Sequence, residues 1–189
     1  MKKIAVFASG FGSNFEVIAA ATESGQIEAE IALLVTDHAD CYAVERAHNH
    51  HVDVFAFNPK SYPSKAAFET EIVAQLHQRG VELIVLAGYM RLIGEVLLNA
   101  YPNRIINIHP ALLPTFPGKH AIEQAYNYGV KVFGITIHYV DAGMDTGKII
   151  AQSCFTAKGN ETLDEIETQI HALEHKLYPQ VIQQLCKGE

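Results

Sequence analysis

Five short apolar runs recur through the first 108 residues: IAVFA (4–8), IALLV (31–35), VFAF (54–57), LIVLA (83–87) and RIINI (104–108). They are brief and rich in β-branched side chains, as strands covered on both faces should be. Helical patterns lie between them. In residues 64–80 the side chains of Phe68, Ile72, Val73 and Leu76 form one stripe, and Gly80 ends it. Strands alternating with helices predict parallel strands joined by right-handed crossovers. The expected class is therefore α/β: a doubly wound, mostly parallel central sheet with helices on both faces. Two further runs, VFGITIHYV (132–140) and KIIAQ (148–152), add to the strand count. A last helix follows from Leu163, Ile166, Ile170, Leu173 and Leu177, with Thr162 and Glu165 as a capping box and Pro179 expected to kink or restart it.

A chain of 189 residues suits one domain, and no linker or repeat divides residues 1–189. The net charge of −7 argues against nucleic acid or an anionic membrane as the main partner. No stretch approaches the roughly 20 apolar residues of a membrane span, and the apolar run after MKK is too short for a signal segment. Cys41, Cys154 and Cys186 are odd in number and widely spaced, which fits a reducing cytoplasm rather than a disulfide framework or a metal site. His48, His50 and His51 bring no third type of metal ligand nearby, so no metal is expected.

In a doubly wound sheet, ligands sit beyond the carboxyl ends of the strands. That puts the loops after residues 8, 87, 108 and 140 on one rim. The first, ASGFGSNFEVI, carries Gly10 and Gly12 into a helix start, where free N–H groups suit a phosphate. Ser13 and Glu16 also spell a capping box that needs no ligand, and both readings stand on the sequence alone. Phe15 replaces the third glycine of a dinucleotide fingerprint. After the fourth run, Met90, Leu92 and Ile93 can line an apolar pocket in which Arg91 meets a carboxylate, but these residues alone favour a plain helix start with a surface arginine. NIHPALLPTFPG (107–118) turns Asn107 and His109 to the same side of a strand end, and three prolines stiffen the exit. The loop 138–150 brings Asp141 and Asp145 among glycines. An amide, an imidazole and a carboxylate on one rim suit direct attack on a carbonyl: Asn107 and a protonated His109 donate to the oxyanion, and Asp145 orients His109 and moves a proton. No serine or cysteine sits in a nucleophile elbow.

INIHPALLPTFPG, with AGYMRLIG upstream and GITIHYVDAGMDTGKII downstream, resembles the folate-dependent formyltransferases over nearly the whole chain. ASGFGSN narrows the resemblance to members that act on glycinamide ribonucleotide in purine biosynthesis. The resemblance implies a Rossmann-like formyltransferase fold and 10-formyltetrahydrofolate as co-substrate. It makes Asn107, His109 and Asp145 catalytic. Gly12, Ser13, Asn14, His171 and Glu174 would bind the ribonucleotide. Lys65, Met90, Arg91, Leu92, Ile93, Asn107 and the segment Asp141, Ala142, Gly143, Met144, Asp145 would bind the folate. Lys65 stands where some members have arginine, His171 where some have glutamine, and Lys148 where proline is frequent. Related enzymes that formylate tRNA add an RNA-binding domain, and formyltetrahydrofolate hydrolases add an N-terminal one; neither is expected here. A monomer or homodimer and a cytoplasmic location complete the expectation. A non-catalytic nucleotide-binding module on a similar sheet is the rival of a different class.

Overall fold

The computed structural model describes residues 1–188, and Glu189, the end of the expected domain, lies outside the described residues. All seven apolar runs are strands: β1 (Lys2–Phe7), β2 (Ala29–Thr36), β3 (Val54–Ala56), β4 (Leu83–Leu86), β5 (Ile105–His109), β6 (Val132–Tyr139) and β7 (Ile149–Thr156). They form one sheet in the order β3-β2-β1-β4-β5-β6-β7. The first five pair in parallel, whereas β5–β6 and β6–β7 are antiparallel. No helix separates β6 from β7, so no crossover can return the chain to the starting end.

The helices are α1 (Ser13–Glu23), α2 (Tyr42–Asn49), α3 (Lys65–Gln78), α4 (Glu95–Ala100), α5 (Ala121–Tyr128) and α6 (Leu163–Lys187). Period-2 alternation splits each central strand between two cores. Ile4, Val6, Leu34, Val85 and Ile106 pack beneath Phe15, Ile18, Ile166, Ile170 and Tyr178 of α1 and α6. Ala5, Phe7, Leu33, Val35 and Ile84 face Phe68, Ile72, Leu76 and Leu97 of α3 and α4 on the other side. Each fully buried aliphatic or aromatic side chain of this kind contributes about 1.5–3 kcal/mol of transfer free energy. Leu173 and Leu177 pack at the margin of the first core.

The Thr162–Glu165 capping box forms as expected, but the one expected for α1 does not. Helix α6 continues through buried Pro179 without restarting, because its apolar side chains dock it on the sheet along both halves. Helix α1 is not capped by a box: Gly12, at φ 73°, takes the cap position, and no side chain caps the helix. The Glu16 carboxylate is drawn away by Arg46 Nη1 (2.8 Å) and His50 Nε2 (3.1 Å) on and just beyond α2.

Candidate active site

The strand order reverses direction between β1 and β4, and the loops after these strands border a cavity of about 720 Å³. Asn107 and His109, at the end of β5, form part of its floor. The loop after β6 reaches the cavity by a different route from the one expected. Because β6 is antiparallel, its exit lies beside Ile105, whose carbonyl accepts from the Val140 N–H (2.9 Å). The segment then doubles back and delivers Asp145. Gly147 permits this, since a Cβ there would run into the Tyr139 carbonyl.

Asp145 Oδ2 stands 3.4 Å from His109 Nδ1 and accepts from the Gly118 N–H (2.7 Å). His109 Nε2 faces the Phe116 carbonyl at 2.8 Å. Both imidazole nitrogens thus face acceptors, an arrangement that a doubly protonated ring satisfies. The imidazole is 5% exposed and the carboxylate 13%. Burial works to raise the Asp145 carboxyl, but hydrogen bonds from His138 and Gly118 and the charges of His109 and His138 outweigh it. They hold the carboxyl below its usual 3.8, as a carboxylate.

The glycine loop borders the same cavity. Gly12 is required twice over, by its positive φ and by Ala43, whose Cβ is 2.8 Å from where a side chain would start. The first intrahelical bond of α1 runs from Glu16 N–H to the Gly12 carbonyl (3.0 Å), so the N–H groups of Ser13 and Asn14 precede the ladder. Both residues line the cavity, as an anion at a helix N-terminus requires. Helix α2 braces the loop: Arg46 Nε donates to the Phe11 carbonyl (3.0 Å), and its guanidinium lies over the rings of Phe11 and Tyr42. Glu174 and His171 approach from α6. Glu174 Oε2 accepts from Asn14 Nδ2 (3.1 Å) and pairs with His171 Nδ1 (3.0 Å). That bond to Glu174 raises the His171 pKa above 6.5 against the opposing effect of burial, with help from the charges of Glu174 and Glu167.

Met90, Arg91, Leu92 and Ile93 form a mainly apolar wall of the cavity, whose lining also includes Asp141, Gly143 and Met144. Met90, Leu92 and Met144 are at least half exposed, a contiguous apolar surface turned to the cavity. Buried Glu69 on α3 secures the far end of the wall by accepting from the Gly94 (2.6 Å) and Leu97 (3.4 Å) N–H groups at the start of α4. Two residues expected at the folate site do not line the cavity. Ala142 sits at the bend of its loop, where Asp141 closes the turn by accepting from Gly143 N–H and Thr146 Oγ1. Lys65 begins α3 with its stem against Gly94, one residue beyond the wall.

The sequence matches the formyl transferase family over residues 2–182. The chain belongs to that family. It is 58% identical to a phosphoribosylglycinamide formyltransferase of Bacillus subtilis, over 98% of this chain and 95% of the relative. Among solved structures, it is similar to phosphoribosylglycinamide formyltransferase from Bacillus halodurans. The TM-score is 0.94 and the identity 53%, over 97% of this chain and 95% of that one. It is also similar to glycinamide ribonucleotide transformylase 1 from Geobacillus kaustophilus, with a TM-score of 0.96 and 53% identity over 98% of this chain and 99% of that one.

In this formyl transferase the structure adds a residue that the sequence reading missed. His138 is 2% exposed. It pairs across the ladder with Asn107, and its Nε2 lies 3.3 Å from Asn107 Nδ2 and 3.6 Å from Asp145 Oδ1. The Tyr139 carbonyl accepts from its Nδ1 (2.8 Å), which fixes the ring. The available signal was period 2: Thr136 and His138 are two polar side chains on one face of an otherwise apolar strand. Thr136 explains the rigid exit after His109. Its hydroxyl donates to the Ala111 carbonyl (2.7 Å) and accepts from Leu113 N–H (3.0 Å) and Gln152 Nε2 (2.9 Å).

Proposed function

We propose that this chain transfers the formyl group of 10-formyltetrahydrofolate to the amine of glycinamide ribonucleotide. The products are formylglycinamide ribonucleotide and tetrahydrofolate, a step of de novo purine biosynthesis. One observation carries the reading: a phosphate-suited helix start and an apolar wall border the same cavity as Asn107, His109 and Asp145. The substrate phosphate sits at Gly12, Ser13 and Asn14 near His171, and Glu174 takes the ribose. The pterin lies between residues 90–93 and 141–145.

The amine attacks the formyl carbon, and the carbonyl electron pair moves onto oxygen. Asn107 Nδ2 donates to that developing oxyanion, and the His109 imidazolium joins it by turning its Nε2–H from the Phe116 carbonyl to the oxyanion. The Asp145 carboxylate holds His109 and accepts the proton of the attacking nitrogen, directly or through a water. Collapse of the tetrahedral intermediate breaks the bond to the folate N10, which regains a proton from the His109–Asp145 pair. The free thiols Cys41, Cys154 and Cys186 suit the reducing cytoplasm in which we place the reaction.

Steady-state kinetics of Asn107→Ala test the assignment. Loss of one oxyanion donor lowers turnover by about 10²–10³-fold, with ribonucleotide binding retained. Turnover at the wild-type rate would remove Asn107 from the mechanism. A wild-type protein that binds both ligands yet transfers nothing would restore the binding-module reading.

A further inference from the structure

Asp37 lies just past β2, and the chemistry above makes no use of it. Its side chain is 2% exposed. Oδ1 accepts from Ser9 Oγ–H (2.6 Å), and Oδ2 accepts from Arg91 Nε–H (2.7 Å), with His38 Nε2 3.7 Å from the same oxygen. Ser9 Oγ in turn accepts from the Met90 N–H (3.0 Å), and the Ser9 N–H donates to the Gly88 carbonyl (3.1 Å). One buried carboxylate therefore grips a residue from each substrate loop: Ser9, which opens the glycine loop, and Arg91, within the apolar wall. A buried carboxylate is costly unless fully paired, and here every strong partner comes from the ligand rim rather than from the core.

Arg91 is 38% exposed on its side chain and lines the cavity. Its Nε is occupied by Asp37, and its Nη groups have no hydrogen-bond partner among the described residues. A guanidinium is planar, so anchoring Nε fixes the plane in which the two Nη groups are presented. We propose that Asp37 is a positioning residue for the folate: through Ser9 and Arg91 it sets the 88–93 wall and presents the Arg91 fork to the carboxylate end of that co-substrate. This inference rests on the folate reading of the cavity.

A double-mutant cycle tests it, with 10-formyltetrahydrofolate varied at saturating glycinamide ribonucleotide. Asp37→Asn keeps an acceptor for Ser9 but turns a donor toward Arg91. It raises KM for the folate about tenfold, the size of one lost charge-assisted hydrogen bond. Both kcat and KM for the ribonucleotide stay within about twofold, as expected when only binding of one substrate is lost. Arg91→Ala has the same signature, and the double variant is no worse than Arg91→Ala alone, because Asp37 acts through Arg91. An unchanged folate KM in Asp37→Asn, or losses that multiply in the double variant, would overturn the proposal. Arg91→Lys covers the case in which Asp37→Asn does not fold. A lysine satisfies Asp37 with a point charge but offers no second arm, so the folate KM rises with kcat retained; a wild-type KM there also overturns the proposal. Absence of any reaction in the wild type, by contrast, removes the folate reading itself.

Discussion

At the scale of single residues, the site works because each polar side chain is held by another. Asp145 is kept ionised by His138, the Gly118 N–H and the charge of His109. His171 is the residue whose pH dependence is easiest to read. Glu174 favours its charged form, so below its raised pKa it contributes a positive charge beside the proposed phosphate site, and this charge is lost as pH rises through that value. The charged and titratable groups facing it are Glu174, Glu167 and His175. The expected outcome is a KM for glycinamide ribonucleotide that climbs as pH rises above 6.5 through the raised His171 value. The climb disappears in His171→Ala. A KM equally pH-dependent in both proteins would take His171 out of phosphate binding. Asn107, His109 and Asp145 were legible as a group because each sits in a short polar segment at the end of an apolar run. His138 was not, since its relation to Asn107 exists only once β5 and β6 are in register.

At the scale of elements, identical local patterns had opposite outcomes. Thr162–Glu165 forms its capping box, whereas Ser13–Glu16 does not, because partners 30 and 34 residues downstream capture Glu16. No local reading contains that competition. The captured carboxylate ties α1 to α2 and so steadies the glycine loop that Arg46 also holds. Burial lowers the His50 pKa, but its hydrogen bonds to Glu23 and Glu16 more than offset this and raise it above 6.5. The stabilisation from His50 is therefore complete below 6.5 and fades as pH rises through the raised folded-state value. Its partners are 40% and 58% exposed, so water screens the tie to about 1 kcal/mol or less. Thermal denaturation of His50→Gln should show a deficit near pH 6 that shrinks near pH 9. A deficit independent of pH would assign His50 to packing alone.

At the scale of the whole molecule, the sheet brings together what the chain keeps apart. Residues 12–14, 90–93, 107–109, 145, 171 and 174 meet where the strand order reverses, and Tyr178 Oη donates to the Leu86 carbonyl (2.8 Å), tying α6 to that edge. Strand positions were readable because buried strands must be apolar. The antiparallel run of β6 was not, since a short loop and its doubling back are settled by pairing rather than by composition. The proposed transfer makes a claim about the reaction: formyl loss from the folate requires the ribonucleotide. The most direct measurement is the rate of formyl loss from 10-formyltetrahydrofolate with and without glycinamide ribonucleotide, with the acceptor followed by mass. The account predicts loss only in the presence of the ribonucleotide, matched one for one by its formylation. Equal loss in its absence would contradict transfer and make the protein a hydrolase.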